Sequence, residues 1–478
     1  MIRKFINRML RRKGPHASVR KHARRHRASD LGISHTSVSS AALRTCEGLQ
    51  KAGFKAYVVG GGVRDLLIDA RPKDFDVATD ATPQDVNKLF RRSRIIGRRF
   101  QIVHVIFGRE TIEVSTFRAL QTDAETDAHG RVLRDNVWGN QEEDAARRDF
   151  TINALYYDPI AEEVLDYHDG VRDMQKRVMR MIGDPETRYR EDPVRMLRVA
   201  RFAAKLGFEI ETKTARPMQS LAPLIKNVPS ARLFDEMLKL LMSGSALDCL
   251  HQLRKAGLHH GLLPLLDVIL EQPDGERFIT AALAKTDERI RAEKSVSPGF
   301  LFATLLWQTV KTRWQANEKA GEHQVPALMM AIDTVLDDQA GQLAIQKRFT
   351  ADMREIWSMQ PRFERRHGQA PYRLIEHIRF RAAYDFFLLR GECGELDPAL
   401  CKWWVDFAEG DAGSRHDLMA KKSDDGGRSG TSSRSRSRSR NRRRRSPMNA
   451  DQASLDAAAR ELQSHSTPAD RAGRGNDE

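Results

Sequence analysis

Residues 57–80 read YVVGGGVRDLLIDARPKDFDVATD. A short apolar run enters three glycines, Gly60, Gly61 and Gly62. VRDLLI then opens a helix, and FDVATD reads as the next strand. Residues two apart on a strand face the same way, so Asp74 and Asp76 project together. Two carboxylates held that close repel unless a divalent cation sits between them, and Mg²⁺ often uses one or two carboxylates plus substrate phosphates. A glycine turn running into a helix presents backbone N–H groups that suit phosphate. The spacing matches neither GxGxxG nor the P-loop GxxxxGK[ST]. Either part alone is weak evidence, because an Asp-x-Asp at a strand end is often only solvated. Glycine turn, helix and Asp-x-Asp together are more specific.

Working outward, a helix is predicted from about Ser40 (AALRTCEGLQKAG), with Gly53 as its stop. ATPQDVNKLFRR is a second helix with Thr82 as N-cap and Pro83 at its first position. QIVHVIFGRETIEVSTF reads as two strands around a Gly-Arg-Glu turn, with His104 as a strand residue. Asp158 to Arg177 reads as turns. From about Glu186 apolar residues recur at three and four, and strand signals almost vanish. After about Gly410 the composition collapses to Ser, Arg, Gly and Asp, the mark of disorder. Trp403 and Trp404 fit a core better than a base-stacking platform.

The 478 residues carry a net charge of +15. Residues 1–28 hold eleven Lys and Arg and no acid, and residues 428–446 hold nine Arg and no acid, so the remainder sums to −5. Basic runs of this kind stay extended and bind polyanions, which points to nucleic acid over a plain solubility tail. No apolar run approaches the ~18 residues of a membrane span. The N-terminus lacks the apolar segment of a secretory signal, although its arginine-rich, acid-free composition is shared with transit peptides. Cys46, Cys249, Cys393 and Cys401 show no CxxC spacing, so a reducing compartment fits better than a zinc site or a disulfide framework.

GGGVRD followed by KDFDVATDATP resembles the head of class II nucleotidyltransferases of the polymerase β type, which include bacterial poly(A) polymerases and tRNA CCA-adding enzymes. EEDAARRDFTINALYYD (142–158) and RYREDPVRMLRVARFAAKLGF (188–208) agree, in the family's order, and the likeness runs from about residue 45 to 405. IIGRRFQIVHVIFG (95–108), LRDNVWGN (133–140), SARLFDEMLKLL (230–241), FRAAYDFFLLR (380–390) and the arginine-rich tail are similar to the poly(A) polymerase branch. The chain departs at Gln346, where that branch has proline, and in a short segment from Ala119 to Val132.

The resemblance implies an α+β chain. Residues 1–35 form a basic flexible arm and 36–160 a small α/β nucleotidyltransferase head with a mixed sheet. Residues 161–228 are neck helices that select the nucleotide, 229–410 an elongated, all-helical RNA-binding body, and 411–478 a disordered Arg/Ser-rich tail. It assigns metal binding to Asp74 and Asp76, with Asp149 as the third catalytic acid; Glu113, on a neighbouring strand, competes for that place. The bland alternative for Asp149 is an ion pair with Arg147 or Arg148. Gly60, Gly61 and Arg64 would hold the triphosphate, unless Arg64 simply pairs with Asp65. Arg147 and Arg148 would contact the nucleotide, since guanidinium forks suit phosphate. Asp192 and Arg195, three apart on one helical face, would read the incoming base with help from Arg198, so no nucleic-acid template is needed.

The implied activity is template-independent transfer of AMP from ATP to RNA 3′ ends, releasing pyrophosphate, in cytoplasmic RNA processing and decay beside RNA-decay factors. Mg²⁺ is the implied metal, with Mn²⁺ open because both take oxygen ligands. CCA addition to tRNA is the alternative within the class; a non-catalytic RNA-binding scaffold is the alternative outside it.

Overall fold

The computed structural model describes residues 22–97, 101–119, 137–258, 273–340 and 345–425. Residues 1–21 of the basic arm, His259 and His260, residues 120–136, and the arginine run of the tail lie outside them. The chain divides into two units, Met1–Met419 and Ala420–Glu478. The second is described only to Asp425, the end of a helix that spans Ala412–Asp425.

The head is an eight-stranded sheet. Its strands are β1 (Arg24–Arg27), β2 (Ala56–Val59), β3 (Asp76–Thr79), β4 (Ser93–Ile96), β5 (Ile102–Phe107), β6 (Glu110–Thr116), β7 (Leu155–Asp158) and β8 (Glu163–Asp166). Their order is β1-β8-β7-β2-β3-β6-β5-β4. Every pairing is antiparallel except β3 with β6. That one parallel pair sets Asp76 level with Glu113.

Alternation sends successive side chains to opposite faces. Val58, Val77 and Val114 meet the helix Ser40–Lys51, which buries Ala42, Cys46 and Leu49. Val59, Ala78, Phe117, Tyr156 and Leu165 fill the other face. The predicted Thr82 cap is present, with Thr82 and Asp85 in a reciprocal capping box at the helix Pro83–Leu89; Ser39 Oγ caps the first helix by accepting from Ala42 N–H. Gly53, at φ +89°, ends the first helix as the sequence implies.

Two expectations are corrected. The basic arm is not free along its whole length, because Arg24–Arg27 is an edge strand on β8. Arg24 and Arg25 pair there with Asp169 and Glu163, at 2.8 and 2.9 Å. The stretch read as turns, Asp158 to Arg177, holds β8 and the helix Gly170–Lys176, so the sheet runs past residue 160.

Beyond the sheet the described chain is helical, apart from a two-residue parallel pair, β9 (Val178–Met179) with β10 (Glu209–Ile210). The helix Val194–Leu206 buries Met196, Leu197, Val199, Ala200 and Ala203 and packs on Ala246–Lys255. The long helix Pro298–Lys319 packs against Gln324–Ala340 and Lys347–Ser358. A separate core gathers Phe363, Phe387, Trp404 and Phe407. Trp404 is fully buried and its indole N–H donates to the Phe363 carbonyl at 2.7 Å, so it is core, as expected. Among the described residues no helix is long and apolar enough to cross a membrane.

Candidate active site

β2 ends at Val59, and the backbone turns at Gly60 with φ +73°, a conformation that suits glycine. The helix Gly61–Leu66 follows at once. Gly62 faces the aspartate segment so closely that an added Cβ would lie 3.1 Å from Phe75 Cδ1 and 3.4 Å from the Asp74 carbonyl. A side chain there would make Phe75 give by a few tenths of an ångström, so glycine lets the turn lie close to the segment carrying Asp74 and Asp76. An added Cβ at Gly60 would lie 3.4 Å from Arg148 Nη1.

Asp76 opens β3, and Asp74 lies just before it. Glu113 stands beside Asp76 in register on β6, and His104 of β5 stands beside Glu113, with Nε2 at 3.4 Å from its carboxylate. The Asp76 residue is exposed at its rim, yet protein crowds its carboxyl. That desolvation, then Glu113, then Asp74 push its pKa up to about 6, against the opposing charge of Arg148. Like charges gathered this way fit a divalent cation. Among the described residues no three His, Cys, Asp or Glu side chains close around a metal by themselves. One or two carboxylates are what a Mg²⁺-type ion takes from a protein when substrate phosphates and water supply its other ligands.

Asp149 belongs to a different group. Its Oδ2 accepts from Arg198 Nε and Nη2 at 2.8 and 2.5 Å, and its Oδ1 from Phe150 N–H and Asn153 Nδ2. Burial opposes its charge, but Arg198 and these hydrogen bonds outweigh it and hold the carboxyl below the usual aspartate range. The ion pair is with Arg198, not with the sequence neighbours Arg147 or Arg148. Of the two candidates for third carboxylate, Glu113 is the one beside Asp76.

The arginines are similarly engaged. Arg64 is buried; its Nε and Nη2 donate to Asp65 Oδ1 and its Nη1 to Asn153 Oδ1 at 2.9 Å. The bland reading of Arg64 is thus present, and the side chain ties the glycine helix to the Asp149 segment. Arg148 donates to Tyr156 Oη, the Asn153 carbonyl and Asp144 Oδ2 at 3.1, 3.3 and 3.1 Å, and lies 5.2 Å from the Tyr156 ring centroid. The carbonyls of Arg147 and Arg148 both accept from Arg188 Nη2, at 2.7 and 2.8 Å. Burial, then Arg195, lower Arg188 to about 10, against the pull of Glu191.

Asp192 and Arg195 do not share one helix. Asp192 ends the helix Pro185–Glu191 in extended conformation, and Pro193 precedes the helix Val194–Leu206. A residue before proline is pushed out of the helical region, which breaks the expected face. Asp192 Oδ2 accepts from Arg232 Nη2 at 2.6 Å. Arg195 Nη1 donates to the Arg188 carbonyl and Glu191 at 2.7 and 2.9 Å. Three guanidiniums, of Arg64, Arg198 and Arg201, lie 5.2, 5.6 and 4.3 Å from the Phe202 ring centroid. Buried Glu236 pairs with Arg198, Arg201 and Lys239. Sequence reasoning missed Phe202, Glu236, Arg188, Asn153 and Arg232. The i,i+4 step from Arg198 to Phe202 was its only trace of that hub.

Three family models match: "Poly A polymerase head domain" over residues 56–180, "Probable RNA and SrmB- binding site of polymerase A" over 207–270, and "Polymerase A arginine-rich C-terminus" over 320–446. The poly(A) polymerase I of Salmonella typhi is 46% identical over 407 residues, covering 82% of this chain and 87% of its own. That of Haemophilus influenzae is 43% identical over 408 residues, covering 83% and 90%. The fold is that of the Bacillus stearothermophilus CCA-adding enzyme solved with CTP, at TM-score 0.52 and 24% identity over 80% of this chain and 82% of that one. With the aspartate pair, the arginine-bound neck and identity at this level over most of both chains, the chain belongs to the poly(A) polymerase I family of nucleotidyltransferases.

Proposed function

We infer that the chain performs its family's reaction at the Asp74–Asp76 end of the sheet. It joins AMP from ATP to the 3′ end of an RNA and releases pyrophosphate. The observation that carries this is the like-charged group of Asp74, Asp76 and Glu113 beside a glycine turn. Asp74 and Asp76 would hold a divalent cation, Mg²⁺ in our reading, which when bound would supply Lewis-acid stabilisation of the attacking and leaving oxygens. Glu113, in register with Asp76, would take the third carboxylate position.

The remaining residues work by position, and catalysis of this kind is mostly placement and electrostatics. Gly60 and Gly61 let the triphosphate approach the backbone. Arg64 fixes the turn through Asn153. Asp149 holds Arg198, and Arg188 holds the carbonyls of Arg147 and Arg148, so the neck side chains meet the nucleotide in one arrangement. Asp192 and Arg195 read the base edge, with Arg232 setting the Asp192 rotamer. The RNA lies along the helical body and arginine-rich C-terminus, and the work takes place in the cytoplasm beside RNA-decay factors.

The test gives purified protein a generic single-stranded RNA, or a tRNA lacking its 3′ end, with each labelled NTP and Mg²⁺ or Mn²⁺. Long ladders with ATP alone on generic RNA are expected. Two cytidines and one adenosine added only to tRNA would overturn the reading.

A further inference from the structure

The head carries a second set of arginines, across the sheet from Asp76. On β5, His104 stands beside Glu113, so Val105 and Phe107 point to the opposite face. There Arg44, Arg91 and Arg92 line a cavity of about 480 Å³ with Phe90 and Phe107. The Arg44 guanidinium lies 5.0 Å from the Phe107 ring centroid, and Phe90 meets Phe107 edge-on at 6.5 Å. Glu110 is the one carboxylate in that lining. All three arginines are exposed, and among the described residues none has an ion pair. Exposed Arg94, on the edge strand β4, pairs in register with His104 and so belongs to the other face.

This differs from the candidate active site, where Arg64, Arg148, Arg188, Arg195 and Arg198 each hold a carboxylate or a carbonyl. Like charges around one opening repel until an anion joins them. Guanidinium forks suit phosphate, and an aromatic floor suits a nucleobase. Three exposed guanidiniums without ion pairs among the described residues, beside one aromatic floor, match successive backbone phosphates with a base among them.

We propose that this edge of the head is an accessory track for the phosphate backbone of the substrate RNA, upstream of its 3′ end. The track rests on the RNA-extending reading above. Arg44, Arg91 and Arg92 each take a backbone phosphate, and Phe107 with its Arg44 lid offers a surface to one base. The site is separate from residues 207–270 and from the arginine-rich C-terminus, to which the family models attach.

The experiment compares the intact chain with its R44Q/R91Q/R92Q variant. Binding of a single-stranded RNA of about 30 nucleotides is followed by fluorescence anisotropy across a KCl series. Three lost phosphate contacts should flatten the slope of log K against log[KCl] by about 2. The RNA KM should rise several-fold, while kcat on an oligonucleotide of about four residues, too short to reach the track, stays unchanged. A wild-type salt slope overturns the track. So does loss of ATP binding with that slope intact, which would make the cavity a free-nucleotide site. Should the triple variant lose its circular dichroism, R91Q/R92Q leaves the Arg44–Phe107 contact in place and should flatten the slope by about two-thirds as much. Wild-type protein that extends no RNA at all rejects the parent reading instead.

Discussion

The acids at the Asp76 end of the sheet and those paired with arginines around Asp149 are opposites. Asp76 stands beside Glu113 with Asp74 just before it, and burial, then the charges of Glu113 and Asp74, raise Asp76. Asp149, Glu236 and Asp192 each face a guanidinium, and Asp149 is lowered. The same residue types therefore sit differently: one group of acids crowds its own like charges, while the other has its cations built in. Removing an acid from the first should cost chemistry and spare the fold. Removing one from the second should cost the fold first.

The sharpest way to break this contrast is Asp76→Ala. Adenylate incorporation should fall on the order of a thousandfold, the scale of several kcal/mol supplied by metal binding. Circular dichroism and RNA binding should stay as in the wild type; lost ellipticity would place Asp76 among the structural acids. Next come Glu113→Gln and Asp149→Ala as a pair. Glu113→Gln should keep its urea midpoint and lose most activity. Asp149→Ala strands Arg198 beside Glu236 and should destabilise the chain by about 3 kcal/mol, the scale of a broken buried pair. Equal urea midpoints in the two variants would erase the distinction.

A pH series sharpens it further. Asp149 has a folded pKa below its ordinary 3.8. Its contribution is thus fully present above about pH 4 and is lost as pH falls through the lower folded value. Urea midpoints of Asp149→Asn should be lower than wild type at neutral pH and converge with it in acid; parallel curves would refute the assignment. The smallest effect belongs to Arg232→Ala. Arg232 is half exposed, so its pair with Asp192 is worth at most about 0.5 kcal/mol of stability. The released Asp192 should nonetheless shift the ATP-to-CTP incorporation ratio several-fold, and an unchanged ratio would remove Arg232 from base selection.

Much of the site was legible locally. The glycine turn, the aspartate pair and the Thr82 cap are written in contiguous residues, and the structure keeps each in place. What stayed hidden depends on pairing across the chain. Whether Glu113 or Asp149 stands by Asp76 turns on the parallel register of β3 with β6, which no local pattern encodes. The break between Asp192 and Arg195 was readable from Pro193, but the i,i+3 spacing masked it. The arm was misjudged at Arg24–Arg27 because its charge was visible while its partner strand was remote. Phe202 was hidden among apolar helix positions, since a ring that carries guanidiniums looks like any core ring in sequence.

That remote partner has a consequence for how the head is made. Arg25 is 138 residues ahead of Glu163, its partner on β8. β2 can meet β3 within some twenty residues of synthesis, since Val59 pairs with Asp76. β1 leaves the ribosome before the other seven strands of its sheet and must wait for β8, the last of them. At about 5–20 residues per second that delay is on the order of ten seconds. Through that interval an arginine-rich segment trails free of its sheet near the ribosome's own RNA, and the edge of β8 closes only once the chain folds back onto its beginning.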